Sequence, residues 1–351
     1  MEQGNEGIKE MKIINEYRSV KAPEIIGGGY WRLNSLDKLK VLCAFLIVCI
    51  HAPFPEVVGE FFTALTRIAV PIFFMISGFF YSTTSGARQI KKLFRLVVMG
   101  NGIYFVWKLA LAAVKGEISS FLTTTFTVRN IAKFILLNES HLQSHLWYLG
   151  AILYVVVIVT MLFKLNEAKG REELYRITPF LLLGDLILGK YSLLLLHREF
   201  PYILVRNWLF VGLPYFSIGM WVKERAKNVE KWKLVGLIVL TAFTTLLERY
   251  LLVINNLNST RDHYLSTTFL AVVVFLFFLS YVGNMDNLVS RIGKRDSTWI
   301  YVLHPIVITI IGAVAKKMGV ESIYNIVRPI IVFLATAVVV ADCHRNGPAG
   351  P

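Results

Sequence analysis

Long apolar blocks alternate with short polar stretches along most of the chain. A membrane-spanning helix needs about 20 mostly apolar residues, and ten segments reach or approach that length. They run roughly 39–55, 61–81, 93–114, 147–165, 178–196, 207–222, 233–254, 264–283, 298–316 and 323–341. This pattern predicts an all-α integral membrane protein, a bundle of about ten transmembrane helices. The sixth segment is short and contains Pro214, so a kinked or broken helix is expected there. The stretch 118–137 is too polar to span and reads as an amphipathic or re-entrant piece on one surface.

Composition agrees with the pattern. The 351 residues are 55% hydrophobic and only 17% charged, against roughly 25% charged in a soluble domain. The net charge of +14 would suggest nucleic acid in a soluble protein. Here the basic residues lie in short loops between apolar blocks, so no nucleic-acid partner is expected and membrane lipid is. With the N-terminus placed inside, the cytoplasmic side carries 24 Lys and Arg and the opposite side 11, Arg67 and Lys108 lying within spans. That bias puts both termini in the cytoplasm, as an even number of spans requires. Cys43, Cys49 and Cys343 form no CxxC pair or disulfide framework, and no His or Cys pair stands at metal-ligand spacing. No metal is expected. The N-terminal stretch has no apolar signal-peptide core. The expected organisation is a cytoplasmic tail over 1–35, one transmembrane domain over 36–342, and a C-terminal tail over 343–351.

The polar exceptions inside the spans carry the chemistry. Ionisable groups in a membrane are costly and mark functional sites by default. They are His51 at the outer end of the first span, Arg67 in the second, His145 opening the fourth, Asp185 in the fifth, Glu248 and Arg249 in the seventh, and His304 in the ninth. On an in–out alternation His51, Arg67, His145 and Glu248 fall toward the outer half. Each has a plainer reading. The histidine at 51 could be a helix–helix hydrogen-bond partner, and Arg67 could snorkel to the interface. Glu248 and Arg249 could form an interfacial pair, and His304 could bond to carbonyls freed by Pro305. Trp147 and Tyr148 suit an interfacial aromatic belt. Taken together, His with Arg and Glu suits general-base activation of a hydroxyl and stabilisation of a developing oxyanion. The residues in the catalytic roles would be His51, Arg67 and Glu248. Arg88, Lys91, Lys92 and Arg95, at the inner end of the third span, suit a phosphate-bearing donor, although they could also be topology markers.

The order of these motifs resembles acyltransferase family 3, bacterial membrane proteins that O-acylate cell-surface carbohydrates. The matching residues are the approach Leu36-Asp37-Lys38-Leu39-Lys40 with His51 at its characteristic spacing, and Arg67-x-x-Val70-Pro71-x-Phe73-Phe74-x-x-Ser77-Gly78-Phe79. They continue with Lys92-Leu93-Phe94-Arg95, His145-Leu146-Trp147-Tyr148-Leu149 and Leu303-His304-Pro305. Lys40 and Lys92 stand where the family has Arg, which keeps the charge but loses the bidentate fork. The resemblance covers roughly residues 35–341. It implies an acyl-CoA co-substrate, usually acetyl-CoA, taken from the cytoplasm, with no tightly bound cofactor. It also implies His51 as the catalytic group, Lys92 and Arg95 near the donor phosphates, with Lys40, Arg88 and Lys91 beside them. Asp37, His145, Trp147, Tyr148 and His304 would bind the acceptor or shape the site. The acceptor would be an extracytoplasmic carbohydrate, and the location a bacterial cytoplasmic membrane. The same fold forms the membrane half of the membrane-bound serine racemases of vancomycin resistance. The alternative is therefore a module that binds or transports a small polar substrate such as serine.

Overall fold

The computed structural model describes residues 33–226, 229–283 and 285–346. Among them every regular element is helical. The expected tail over 1–35 lies almost wholly outside the described residues. Starting from α1 (Asn34–His51), the chain reverses through Pro53 and Pro55 into α2 (Glu56–Thr66) and α3 (Ala69–Phe79), which together make the second crossing. Pro71 lacks the N–H that would bond the Arg67 carbonyl, and the helix bends at Arg67 and Ile68. Next come α4 (Gly86–Lys115), two short helices, α5 (Ile118–Thr125) and α6 (Val128–Leu137), and then α7 (Trp147–Leu165). The stretch 118–137 is thus a pair of short surface helices, and no side chain of α6 is buried.

The fifth crossing differs from its expected boundaries. Its helix α8 (Glu167–Leu188) begins eleven residues early and runs through the charged segment that reads as a loop. Acidic and basic residues there pair along the helix, Arg176 with Glu172 and Glu173 and Arg171 with Glu167, which supports it without apolar character. After α9 (Ser192–Leu196), the sixth crossing is broken as expected. A π-helical turn, Trp208–Gly212, is capped by the Asn207 side chain and leads into α10 (Leu213–Arg225) with Pro214 in its first turn. The remaining helices are α11 (Lys231–Ile254), α12 (Leu265–Tyr281), the short α13 (Leu288–Arg295), α14 (Ser297–Lys317) and α15 (Glu321–Asn346). The last continues past 343, where a tail is expected.

Among the described residues six crossings are long and apolar enough to span a membrane on their own: Glu56–Phe79, Thr83–Lys115, Ser144–Leu165, Lys231–Ile254, Ser297–Lys317 and Glu321–Arg345. The others are shorter or carry charge and depend on neighbours. The protein is therefore an all-α membrane bundle whose helices divide by environment. In Ser144–Leu165 61% of the apolar window is buried within the protein, and in Lys231–Ile254 only 17% is. The first is a core helix and the second faces lipid. One crossing is unusually close. A Cβ at Gly78 of α3 would meet the Phe216 carbonyl oxygen at 2.0 Å, and one at Gly219 of α10 would meet that of Met75 at 2.0 Å. Only glycine at both places lets these two backbones touch.

Candidate active site

His51 is the last residue of α1. Pro53 follows two positions later and restricts Ala52 to a non-helical conformation, so the imidazole stands where the helical ladder stops. Two other histidines meet it. The ring centroids are 6.0 Å apart for His51 and His145, 5.0 Å for His51 and His304, and 5.2 Å for His145 and His304. Helices α1 and α14 and the 3₁₀ turn Ser144–Leu146 that opens α7, far apart in sequence, thus bring three imidazoles into one triangle.

Their surroundings differ. His145 is 2% exposed and His304 0%. His51 is exposed although neighbours surround it. Pro305 cannot donate to the Tyr301 carbonyl, and His304 Nδ1 takes that place at 2.8 Å, with the Ile300 carbonyl at 3.2 Å. A carbonyl only accepts, so Nδ1 carries the proton and Nε2 of the neutral ring holds a lone pair. That Nε2 is buried without a partner among the described residues. The plainer reading of His304 is therefore true of one ring nitrogen and leaves the other unused. Among the described residues neither nitrogen of His145 makes a well-formed hydrogen bond, although the Tyr301 and Val302 carbonyls lie nearby. Its backbone carbonyl accepts from the Tyr301 hydroxyl, and Tyr104 donates to the Val302 carbonyl at 2.8 Å. These two tyrosines brace the wall on which His145 and His304 sit. The imidazoles are not set as metal ligands: among the described residues no group of three or more His, Cys, Asp or Glu could hold a metal ion.

Arg67 sits at the bend between α2 and α3, and its guanidinium donates to the Asp262 carboxylate. Asp262 belongs to the loop between α11 and α12, where it reads in the sequence as an ordinary solvated charge. Arg67, Asp262 and Arg206 all act electrostatically on His51. Arg206 stacks on Tyr202 at 4.1 Å and on Trp147 at 5.5 Å. The opposed Arg67 and Arg206 hold the Asp262 carboxyl below the usual carboxylate range despite its burial. Next to it, His263 Nδ1 meets the Asp185 carboxylate at 2.7 Å. Burial disfavours the charged imidazole, but Asp185 outweighs it and raises the His263 pKa above its ordinary value.

Other singled-out residues lie elsewhere. Glu248 accepts from the Tyr191 hydroxyl at 2.9 Å and from the Ser266 hydroxyl at 2.5 Å; these bonds bind it to α12 and to the residues before α9, not to His51. Arg249 pairs with Glu60 of α2, not with Glu248. Trp147 is 6% exposed inside the core, away from any lipid-facing belt. Tyr148 packs on Phe74 at 4.8 Å and Tyr301 at 5.5 Å. At the Asn34 end, Asp37 is buried and bonds Lys40 at 2.8 Å. Arg88, Lys91, Lys92 and Arg95 are exposed along the first turns of α4, at the same end. Arg206, Asp262 and His263 do not stand out in the sequence. Their only signal is charge in loops beside spans, which most membrane proteins share.

Two cavities lie along the bundle. One, of about 290 Å³, is lined by Ile103, Trp299, Leu303, Val340, Cys343 and His344. It begins near the Asn34 end and reaches the residue before His304. The other, of about 500 Å³, lies at the His51 end and includes Arg67 in its wall.

The family model described as an acyltransferase domain matches residues 33–343. Among curated proteins, an amino-acid racemase of Enterococcus faecalis is 22% identical over 345 residues, covering 90% of this chain and 47% of that protein. A serine/alanine racemase of Enterococcus gallinarum is 23% identical over 325 residues, covering 86% and 45%. The chain thus spans less than half the length of these relatives. No solved structure matches it. With the family match running from the start of α1 almost to the end of α15, this membrane bundle belongs to acyltransferase family 3.

Proposed function

We propose that the protein moves an acyl group, acetyl in the simplest case, from cytoplasmic acyl-CoA to a hydroxyl of an extracytoplasmic carbohydrate. The observation that carries this reading is one accessible imidazole, His51, in a cluster of buried ones, with a charged Arg67–Asp262 pair beside it. In this reading the Asn34 end is cytoplasmic and the membrane is a bacterial cytoplasmic membrane. The exposed cations at 88, 91, 92 and 95 hold the CoA phosphates as point charges. The apolar cavity between α4, α14 and α15 leads the acyl arm toward His304 and His51. His51 takes the proton of the acceptor hydroxyl, and the oxygen attacks the thioester carbonyl. Arg67, held in place by Asp262, faces the oxyanion that forms. Collapse expels CoA as thiolate, which recovers the proton from His51. His145 and His304 keep the pocket around His51 narrow and polar.

The test supplies labelled acetyl-CoA to the full chain in proteoliposomes. Wild type should release CoA in the presence of a carbohydrate acceptor, and His51→Ala should not. Equal release by both would remove His51 from the chemistry. The racemase relatives favour a second reading, in which the bundle passes a small amino acid such as serine. Uptake of serine into proteoliposomes above that of empty vesicles would support it, and no difference would exclude it.

A further inference from the structure

The 500 Å³ cavity at the His51 end has a wall unlike the rest of the membrane region. Five cations line it, Arg67, Lys190, Arg249, Arg261 and Arg328, against two carboxylates, Glu56 and Glu60. Three of the five have an acidic partner. Arg67 is paired with Asp262, Arg249 with Glu60, and Arg261 with Glu199 at 3.8 Å. The other two have none among the described residues. Lys190 is 5% exposed, yet its Nζ donates only to neutral oxygens, the Ser259 carbonyl at 2.7 Å and the Asn258 side chain at 3.4 Å, and lies 4.5 Å from the Tyr264 ring centre. Arg328 donates through Nε to the Pro53 carbonyl at 3.0 Å, and its two terminal nitrogens have no partner among the described residues.

A buried amine with no carboxylate in hydrogen-bond reach favours an incoming anion. A guanidinium with its fork open toward a cavity suits bidentate recognition of a carboxylate or phosphate. The wall is also built in advance. Arg249 is fixed by the Glu60 carbonyl at 3.0 Å and by the Glu60 carboxylate, and Arg261 by the Phe200 carbonyl at 3.1 Å. A ligand entering it meets donors whose rotamers are already set. The place is next to the chemistry. Pro53 lies two residues beyond His51, at most about 7 Å along the chain, and it carries the carbonyl that holds Arg328. Arg67 belongs both to the cavity wall and to the surroundings of His51. An oxyanion between Lys190 and Arg328 would leave a hydroxyl on the same small molecule within reach of His51.

We infer that this cavity is an oxyanion subsite for the acceptor: the acylated molecule carries a phosphate or carboxylate near the reacting hydroxyl, and a neutral sugar is a poor acceptor. The inference rests on the proposed acyl transfer for its role, but the binding site stands separately. The experiment measures calorimetric binding of glucose 1-phosphate, glucuronate and glucose to the full chain in detergent, then CoA release from acetyl-CoA with each as acceptor. One or both charged sugars should bind at least ten-fold more tightly than glucose. Arg328→Gln should weaken that binding roughly ten- to a hundred-fold, as loss of a charge-assisted hydrogen bond implies, and Arg328→Lys should recover part of it. Lys190→Gln should do the same, with Arg328→Gln as the safer variant should the buried lysine prove necessary for folding. Equal binding of glucose and both charged sugars, or unchanged binding in the Arg328→Gln variant, overturns the inference. Repeating the titration in nanodiscs of phosphatidylcholine with and without phosphatidylglycerol separates acceptor from lipid. Displacement of the charged sugar by the anionic lipid would assign the cavity to a headgroup and overturn the acceptor assignment. Charge-selective binding without any CoA release would leave the anion site standing and remove the acyl-transfer reading. Equal transfer to charged and neutral sugars would do the reverse.

Discussion

The two ends of the bundle carry positive charge in opposite ways. At the His51 end Arg67, Arg249 and Arg261 are each held against a carboxylate, and the buried Lys190 is held by two oxygens. At the Asn34 end Arg88, Lys91, Lys92 and Arg95 are exposed, and among the described residues none has a hydrogen-bond or ion-pair partner. A held cation has already lost its rotamer freedom, so it meets a ligand in a fixed direction. A free one is a mobile point charge whose field fades over about 8 Å at physiological salt. The first arrangement suits recognition of a particular geometry. The second suits capture of a polyanionic molecule from solution, where reach matters more than angle.

The sharpest way to break this contrast is at its centre. His51→Ala should lower CoA release by about 10²–10⁴-fold, the usual contribution of a general base, while leaving acyl-CoA binding by equilibrium dialysis unchanged. Next in size, Asp262→Asn leaves Arg67 without its charge partner in a partly buried place. It should cost about 3 kcal/mol of stability, read as a lowered thermal midpoint in detergent, and Arg67→Gln in the same chain should restore part of it. At the other end, replacing Arg88, Lys91, Lys92 and Arg95 together by Gln should raise the KM for acyl-CoA about ten-fold with little change in kcat. The same change should flatten the dependence of KM on salt. Little effect on thermal stability is expected, because these side chains hold nothing. A large stability loss there would end the contrast.

The smallest effect concerns pH. The His263 pKa is raised in the folded state, so its contribution is fully present below the ordinary histidine value of about 6.5. It is lost as pH rises through the folded value. The stability difference between wild type and His263→Gln should therefore shrink as pH rises above about 6.5. A difference that grows with pH would reverse the assigned role of Asp185.

Much of the architecture is legible in the amino-acid sequence. Apolar length locates six of the crossings by itself, since lipid requires it of a helix that faces it. Pro214 marks the broken sixth crossing. His51 and Arg67 stand out because a charge or imidazole in a span needs a reason. Their partners are not legible. Asp262 lies 195 residues from Arg67 in a polar loop, where charge is ordinary. Glu248 draws notice for lying within a span, yet its oxygens are occupied by Tyr191 and Ser266, which only folding brings near. The charged first half of α8 conceals a helix because its stability comes from pairing along its surface and not from apolar burial.

The glycine crossing of α3 and α10 has a mechanical consequence. Two backbones in direct contact at Gly78 and Gly219 cannot shear past one another without driving peptide into peptide. They must travel as a single rigid body. Arg67 adjoins the start of α3, and Arg206 lies just before the π-helical turn that leads into α10. Both guanidiniums therefore stand next to that body, one at each of its two chain entries. Any gate that admits a substrate has to open by moving something else against that body.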